Sequence, residues 1–409
     1  MDSLSILNYQ GSKRNLLPFI KAKSIDAISP GQTILDIFAG TCSVGYSFKI
    51  TNRIFANDCE EYAFIISQAL LGNYFDIEVN NITDRINQAF EKNMKIVNRI
   101  YNNITNEEVA VLRKGSVSEI TSFYKSVPTV WNGKGKNVNT SRLLFLQYYS
   151  GSYFGVMQAS EIDSLRVAIE EYKNTNLFAP LMASLYYAMK ECVFSKDGHM
   201  AQPLGIEKNL NKLLKKRQKS IYSLFNLKLK EFFSSNFVTS VYSNECFNMN
   251  FEKLLKMPRI KEEVDVIYAD PPYTDMQYSR YYHILNFITK YKPATLTMIG
   301  DSHTKGLYTD GRFQSKLSTK KNSLNTFTTL VDFCNIFQKE LVVSFAYPED
   351  SNIQKTDRYV MSIEALIALC TEKFGISSVD VHSSEYTHSN NRNSEQKKVL
   401  EYLIICKKR

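Results

Sequence analysis

The chain has 409 residues, 44% hydrophobic and 22% charged, and its 50 Lys and Arg exceed 41 Asp and Glu to give a net charge of +9. Those proportions describe a soluble globular protein large enough for more than one domain or subdomain, and no apolar run approaches membrane-spanning length. The seven cysteines are scattered, odd in number and free of Cys-x-x-Cys pairs, so neither a disulfide framework nor a metal site is expected. Met1-Asp2-Ser3-Leu4-Ser5 has no basic head leading into an apolar core, so the expected compartment is the cytoplasm. The excess of positive charge modestly favours a polyanionic partner.

Residues 6–20 join a short apolar start to a polar Gly-Ser-Lys turn, with a helix predicted to run on to about Lys23. After a Pro30-Gly31 turn, 33–38 is a predicted buried strand running into Ala39-Gly40-Thr41-Cys42. A second strand over 53–56 closes on Asn57-Asp58, and 63–71 is a predicted helix. Strand, glycine turn, helix, strand and acid is the order of a nucleotide-binding βαβ unit. From 72 to 237 the apolar period is helical, with a polar break over 126–140 that holds the only tryptophan, Trp131. The α/β core resumes with predicted strands at 237–242 and around Val264, Val266 and Ile267. A helix over 281–291, a basic loop over 294–323, a strand over 341–346 and a helix over 362–374 follow. Two last strands are predicted at 377–383 and 399–406.

Asp270-Pro271-Pro272-Tyr273 ends the 264–267 strand, because two prolines cannot supply ladder N–H groups. The motif therefore belongs at the carboxyl end of a strand, where open α/β sheets hold ligands. Gly40 lets the backbone approach a ligand closely. Asp58 stands about 20 residues beyond the glycine turn, where an acid commonly receives ribose hydroxyls; a helix N-cap is the alternative role. Lys208 to Lys230 holds eight basic residues and no acid, which suits either a solvated helix face or a polyanion. The loop residues Lys305, Arg312, Lys316, Lys320 and Lys321 are better placed for phosphate contacts, being closer in sequence to Asp270.

Asp-Pro-Pro-Tyr after an apolar strand resembles motif IV of the amino-methyltransferases. Phe38-Ala39-Gly40-Thr41-Cys42 resembles their motif I, Phe-x-Gly-x-Gly, with Cys42 in place of the last glycine. Asn8-Tyr9-Gln10-Gly11-Ser12-Lys13 resembles motif X. In this order, with Asp58 between, they resemble the D12-class, α-type DNA adenine-N6 methyltransferases. Stretches at 152–166, 197–202, 270–286, 388–392 and 401–404 resemble the FokI-type branch of that class.

The resemblance implies an α/β fold with a Rossmann-like methyltransferase core, a mostly parallel sheet with an antiparallel C-terminal strand. Residues 1–71 and 238–409 would form that core, and 72–237 a helical insertion acting as target-recognition domain. It implies S-adenosylmethionine as cofactor and double-stranded DNA as partner, with any restriction endonuclease a separate chain. Tyr9 would pack on the cofactor, with Lys13 near its carboxylate and the catalytic aspartate. Asp36 would take its ammonium group, Phe38 and Gly40 would form the turn against it, and Asp58 would hold its ribose. Either Asn244 or Glu245 would bind its adenine.

The N6 lone pair of adenine is delocalised into the ring and needs help to react. The Asp270 carboxylate can accept one N–H and the Pro271 carbonyl the other, with Pro272 completing the motif and Tyr273 stacking on a flipped base. Cys42 is a packed side chain in this reading, since N-methylation needs no enzyme nucleophile. Two other functions fit the residues: an RNA adenine or cytosine-N4 methyltransferase, and a catalytically idle nucleic-acid-binding module.

Overall fold

The computed structural model describes residues 5–7, 11–74, 77–134, 142–196, 198–234, 237–348, 358–386 and 399–408. Short apolar runs form a sheet of strands β1 (Thr33–Asp36), β2 (Arg53–Asn57), β3 (Glu245–Phe247) and β4 (Val266–Ala269). A separate two-stranded ribbon pairs β5 (Met298–Ile299) with β6 (Ser302–His303). The main sheet is completed by β7 (Glu340–Pro348), β8 (Val379–Tyr386) and β9 (Val399–Cys406).

The main sheet runs β3-β2-β1-β4-β7-β9-β8. Neighbours from β3 to β7 are parallel, and β9 is antiparallel to both β7 and β8. Alternating side chains feed two cores, as strands covered on both faces require. Ile34, Ile54, Val266, Tyr268, Val342 and Leu403 point to one face. Leu35, Phe55, Ile267, Val343 and Ile404 point to the other. Burying each large apolar chain of this kind contributes about 1.5–3 kcal/mol. Helices Ser323–Ile336 and Ile363–Phe374 cover the second face.

The first face carries helix Glu61–Leu71, and outside it lie the helices between 79 and 232. That stretch holds a 36-residue helix, Val79–Lys114, followed by Val117–Ser126, Leu144–Tyr149 and Val156–Glu170. Phe178–Cys192, Leu210–Arg217 and Ile221–Phe232 complete it. Among the described residues no helix is long and apolar enough to cross a membrane.

The strand expected over 237–242 does not form. There the Asn73 side chain takes the place of a neighbouring strand: it accepts the Ser240 N–H at 2.9 Å and donates to the Ser240 carbonyl at 2.8 Å. Val241 is left 91% exposed, and the edge strand is instead β3 at 245–247. The helix expected at 281–291 begins earlier, as two pieces, Tyr278–Tyr281 and His283–Lys290.

Candidate active site

Chain order places the site. From β1 the chain proceeds outward through β2 and β3, whereas β4 and β7 lie on the other side of β1. Such a reversal opens a crevice beyond the carboxyl ends of the two central strands, here β1 and β4. The strand alternation then lines up one row of polar groups on the first face at this edge: Asp36 after Ile34, Asp270 after Tyr268, Ser344 after Val342 and Glu401 before Leu403. Because β9 runs the opposite way, its first residues lie beside the last residues of β7.

Lys13, in the 3-10 turn Lys13–Leu16, is 4% exposed and ties the row together. Its Nζ lies 3.0 Å from Asp270 Oδ1 and 2.8 Å from Glu401 Oε1. Ser344 Oγ donates to Glu401 Oε1 at 2.6 Å. Burial works against the Lys13 charge, but Asp270 and Glu401 outweigh it and hold the ammonium well above the usual lysine range. Burial pushes Asp270 up to about 7, with Lys13 pulling it down and Glu401 pushing it further up. Burial likewise raises Asp36 to about 7, although the Gly45 N–H donates to its Oδ2 at 3.2 Å.

The glycine turn has its own geometry. Gly40 and Cys42 both have positive φ, +53° and +55°. A side chain in this region costs on the order of 1–2 kcal/mol, so Cys42 keeps a conformation that suits glycine. Its thiol is buried, which raises its pKa well above the usual range and leaves it protonated. Gly45 permits the close approach of the following helix, since a Cβ there would meet Cys42 Sγ and Ile54 Cγ2 at 3.1 Å. Asp58 fastens the turn to the next helix: Oδ2 accepts the Gly40 N–H and Oδ1 the Glu60 N–H, both at 2.9 Å.

These groups border an open cleft of ≈ 1130 Å³. Lys13, Asp36, Asp58, Glu60 and Asp270 give it charge, and Phe38, Phe251, Phe313, Leu317, Pro271 and Pro272 give it apolar walls. Phe38 and Phe251 meet edge to face with centroids 5.3 Å apart. The cleft is thus bipolar, with a carboxylate row at the sheet edge and an aromatic wall facing it. The family model of the D12 class N6 adenine-specific DNA methyltransferases matches residues 9–202 and 202–345.

The chain belongs to the D12 class. Modification methylase LlaI of Lactococcus lactis subsp. lactis is 25% identical over 98% of this chain and 55% of its own length. Modification methylase StsI of Streptococcus sanguinis is 23% identical over 98% of the chain and 52% of its own length. The chain therefore spans about half the length of these two relatives. Type II methyltransferase M.NlaIII of Neisseria lactamica is 23% identical over 98% of the chain and 99% of its own length.

Of the residues expected at a D12-class site, Lys13, Asp36, Phe38, Gly40, Asp58, Asp270, Pro271 and Pro272 all line the cleft. Tyr9 lies outside the described residues, as do Asp197 and 388–392. Asn244 and Glu245 stand apart from the cleft. Asn244 Oδ1 accepts the Ile54 N–H at 2.8 Å and its Nδ2 donates to the Leu71 carbonyl at 3.2 Å, so this amide is spent on the sheet edge. Glu245 pairs with Arg53 at 3.3 Å and Arg259 at 2.6 Å. The residues after β3 that do reach the cleft are Met249, Asn250, Phe251 and Glu252. Their signal in the sequence is an N-cap: Asn250 Oδ1 accepts the Glu252 N–H at 2.7 Å and starts helix Phe251–Leu254.

Tyr273 does not border the cleft. It is 7% exposed, lies beside Tyr359 with centroids 6.3 Å apart, and has Lys13 Nζ 5.8 Å from its ring centroid. Base stacking on this ring would need its packing to rearrange. In the basic loop, Lys316 lines the cleft and lies 3.7 Å from Glu252. Arg312 turns onto the Tyr308 ring, 4.4 Å from its centroid, while Lys305, Lys320 and Lys321 are exposed. The basic run at 208–230 is largely spent on structure: Lys212, Lys216 and Lys219 bond the Ser195 carbonyl and Glu191, and Arg217 bonds Tyr124. Two further acids at the site escape sequence reasoning. Glu60 lines the cleft, with its pKa raised to about 7 by burial. Glu401 is the one acid in the otherwise uncharged run Val399-Leu-Glu-Tyr-Leu-Ile-Ile-Cys406, and although 401–404 resembles the FokI-type branch, nothing in the sequence gives it a role at the site.

Proposed function

We propose that this chain is a site-specific DNA adenine-N6 methyltransferase that uses S-adenosylmethionine, acts in the cytoplasm, and serves as the modification enzyme of a restriction-modification system. The relatives' names describe modification methylases, and the class model names DNA adenine as the target. Any nuclease would be a separate chain. The observation that carries the reading is the carboxylate of Asp270, held by Lys13 at the mouth of a bipolar cleft at the sheet's switch point.

The donor set fits the cofactor. An ammonium group suits Asp36, ribose hydroxyls suit Asp58, and an adenine suits the apolar wall of Phe38 and Phe251 beside Asn250. When bound, S-adenosylmethionine supplies an electrophilic methyl group on a positively charged sulfur. The protein's part is to hold the acceptor nitrogen in line and to favour the positive charge that develops on it. Asp270 accepts one N6–H and the Pro271 carbonyl the other. Asp270 is an acceptor and not a strong base, because the N–H becomes acidic only as the new bond forms.

Tyr273 acts through packing in this arrangement. Tyr273→Ala should cost about 3–5 kcal/mol of stability by opening a cavity beside Tyr359 and Lys13. Thermal melts check this, with Tyr273→Phe expected to stay near wild type. A role confined to base stacking would leave the melt of the alanine variant unchanged.

We assign DNA backbone contacts to the 305–321 loop and target recognition to the helical insertion, residues 72–237. Replacing Lys305, Lys320 and Lys321 with alanine should weaken DNA binding on every sequence. The salt slope of affinity should flatten by about one unit for each phosphate that is no longer neutralised. Specificity should survive, since phosphate contacts carry no sequence information directly. Binding at several salt concentrations tests this; an unchanged slope removes these lysines from the interface. The whole reading is tested by expressing the chain in cells lacking adenine methylation and mapping N6-methyladenine. Methylation at one short sequence supports it, and methylation of RNA alone favours the competing RNA enzyme.

A further inference from the structure

The ion pair of Lys13 has a second member that the reaction does not touch. Glu401 is 1% exposed, on a strand that reaches the site from the far side of β7. Its Oε1 takes both Lys13 Nζ and Ser344 Oγ, and its Oε2 is buried with no hydrogen-bond partner among the described residues. A carboxylate buried this deeply is costly, and an apolar residue would suit the strand better. With Glu401 in place, one lysine is shared between two carboxylates and the cluster carries a net charge of −1. Without it, Lys13 would belong to Asp270 alone and the cluster would be neutral.

We propose that Glu401 is a positioning residue: by drawing Lys13 toward β9 it leaves the Asp270 carboxylate only partly neutralised by the lysine and available as a hydrogen-bond acceptor. The inference rests on Asp270 being the acceptor in the reaction proposed above. Its physical basis is that positive charge moves onto the acceptor nitrogen as the methyl group transfers. A net-negative cluster favours that movement, whereas a neutral pair does not. A carboxylate bound to one lysine alone is also a weaker acceptor, because its lone pairs and charge are already engaged. The groups that face the Lys13–Glu401 pair are Asp270 and Tyr268 on β4, Ser344 on β7, and Tyr273 and Tyr278 beyond β4. Among the described residues, Lys13 forms ion pairs with Asp270 and Glu401 alone.

Glu401→Gln keeps the shape and removes the charge; Glu401→Asp keeps the charge and shortens the side chain. Removing a nearby negative charge lowers the pKa of Asp270, so its titration midpoint should move down by about one unit in the Gln variant. This is read without cofactor, by NMR of carboxyl-labelled aspartate assigned with Asp270→Asn. In the reaction, kcat should fall roughly tenfold or more at every pH, with the acid limb displaced to lower pH and KM for S-adenosylmethionine within about twofold. The Asp variant should lie between wild type and Gln on both measures, the reverse of the order that shape alone dictates. A loss of kcat with an unmoved Asp270 midpoint makes Glu401 merely structural and overturns the proposal, as does unchanged kcat. Should the Gln variant fail to fold, the Asp variant decides: a smaller downward shift supports the proposal and an unmoved midpoint overturns it. Absence of methyl transfer by the wild type would overturn the proposed function instead, and the cofactor-free titration still tests the link between Glu401 and Asp270.

Discussion

Asp270→Ala is expected to lower methyl transfer by roughly 10³-fold or more while leaving folding and DNA binding close to wild type. The side chain is partly exposed to the cleft, 21%, and follows the last residue of β4, so its removal opens no large cavity in either core. What would disappear is the acceptor proposed to stabilise charge developing on the target amine. Lys13 then keeps Glu401 as a partner at 2.8 Å, so the variant leaves no unpaired buried ammonium. Single-turnover kinetics on duplex DNA check the result, with a binding titration on the same protein. Asp270→Asn should also be severely impaired, because an amide oxygen lacks the charge. Turnover near wild type in either variant would place the chemistry elsewhere.

Asp36→Asn should weaken S-adenosylmethionine binding roughly tenfold to a hundredfold, the scale of a missing hydrogen bond to a charged group at about 1.5–3 kcal/mol. Asp36 is 2% exposed, at the end of β1 and on the cleft wall. The effect has a pH signature. Burial raises both Asp36 and Asp270 to about 7 in the free protein. A cationic ligand prefers the ionised carboxylates, so wild-type affinity should fall as pH drops below about 7 and level off above it. The Asn variant should lose the part of this dependence due to Asp36 and retain the part due to Asp270. Calorimetry between pH 6 and pH 9 measures both, and an unchanged affinity with an unchanged pH profile would remove Asp36 from the cofactor site.

The strands that carry this site are legible in the sequence because each combines a buried β-branched run with a breaker at its end. Pro271 ends β4 and the Gly40 turn follows β1, so residue order alone puts Asp36 and Asp270 at strand ends. The failures have specific physical causes. Residues 237–242 have strand composition, but Asn73 satisfies the backbone of Ser240, a contact 167 residues away in sequence. Glu245 sits on the edge strand but pairs outward with Arg53 and Arg259, while Asn250 and Phe251 reach the cleft one turn later. Glu401 depends on β9 running antiparallel beside β7, a pairing that no local pattern encodes. Cys42 packs as its chemistry predicts, and its left-handed backbone carries the turn that glycine would otherwise make.

The reaction proposed for this chain is methylation of the exocyclic amine of adenine in duplex DNA through Asp270. Its most direct test is to incubate the purified chain with duplex DNA and S-adenosylmethionine carrying an isotopically labelled methyl group, digest the DNA to nucleosides, and identify the labelled product by mass spectrometry. The expected product is labelled N6-methyl-2′-deoxyadenosine, absent when Asp270→Ala replaces the wild type. Label on N4-methyl-2′-deoxycytidine, or no labelled nucleoside despite saturable cofactor and DNA binding, would rule this reaction out.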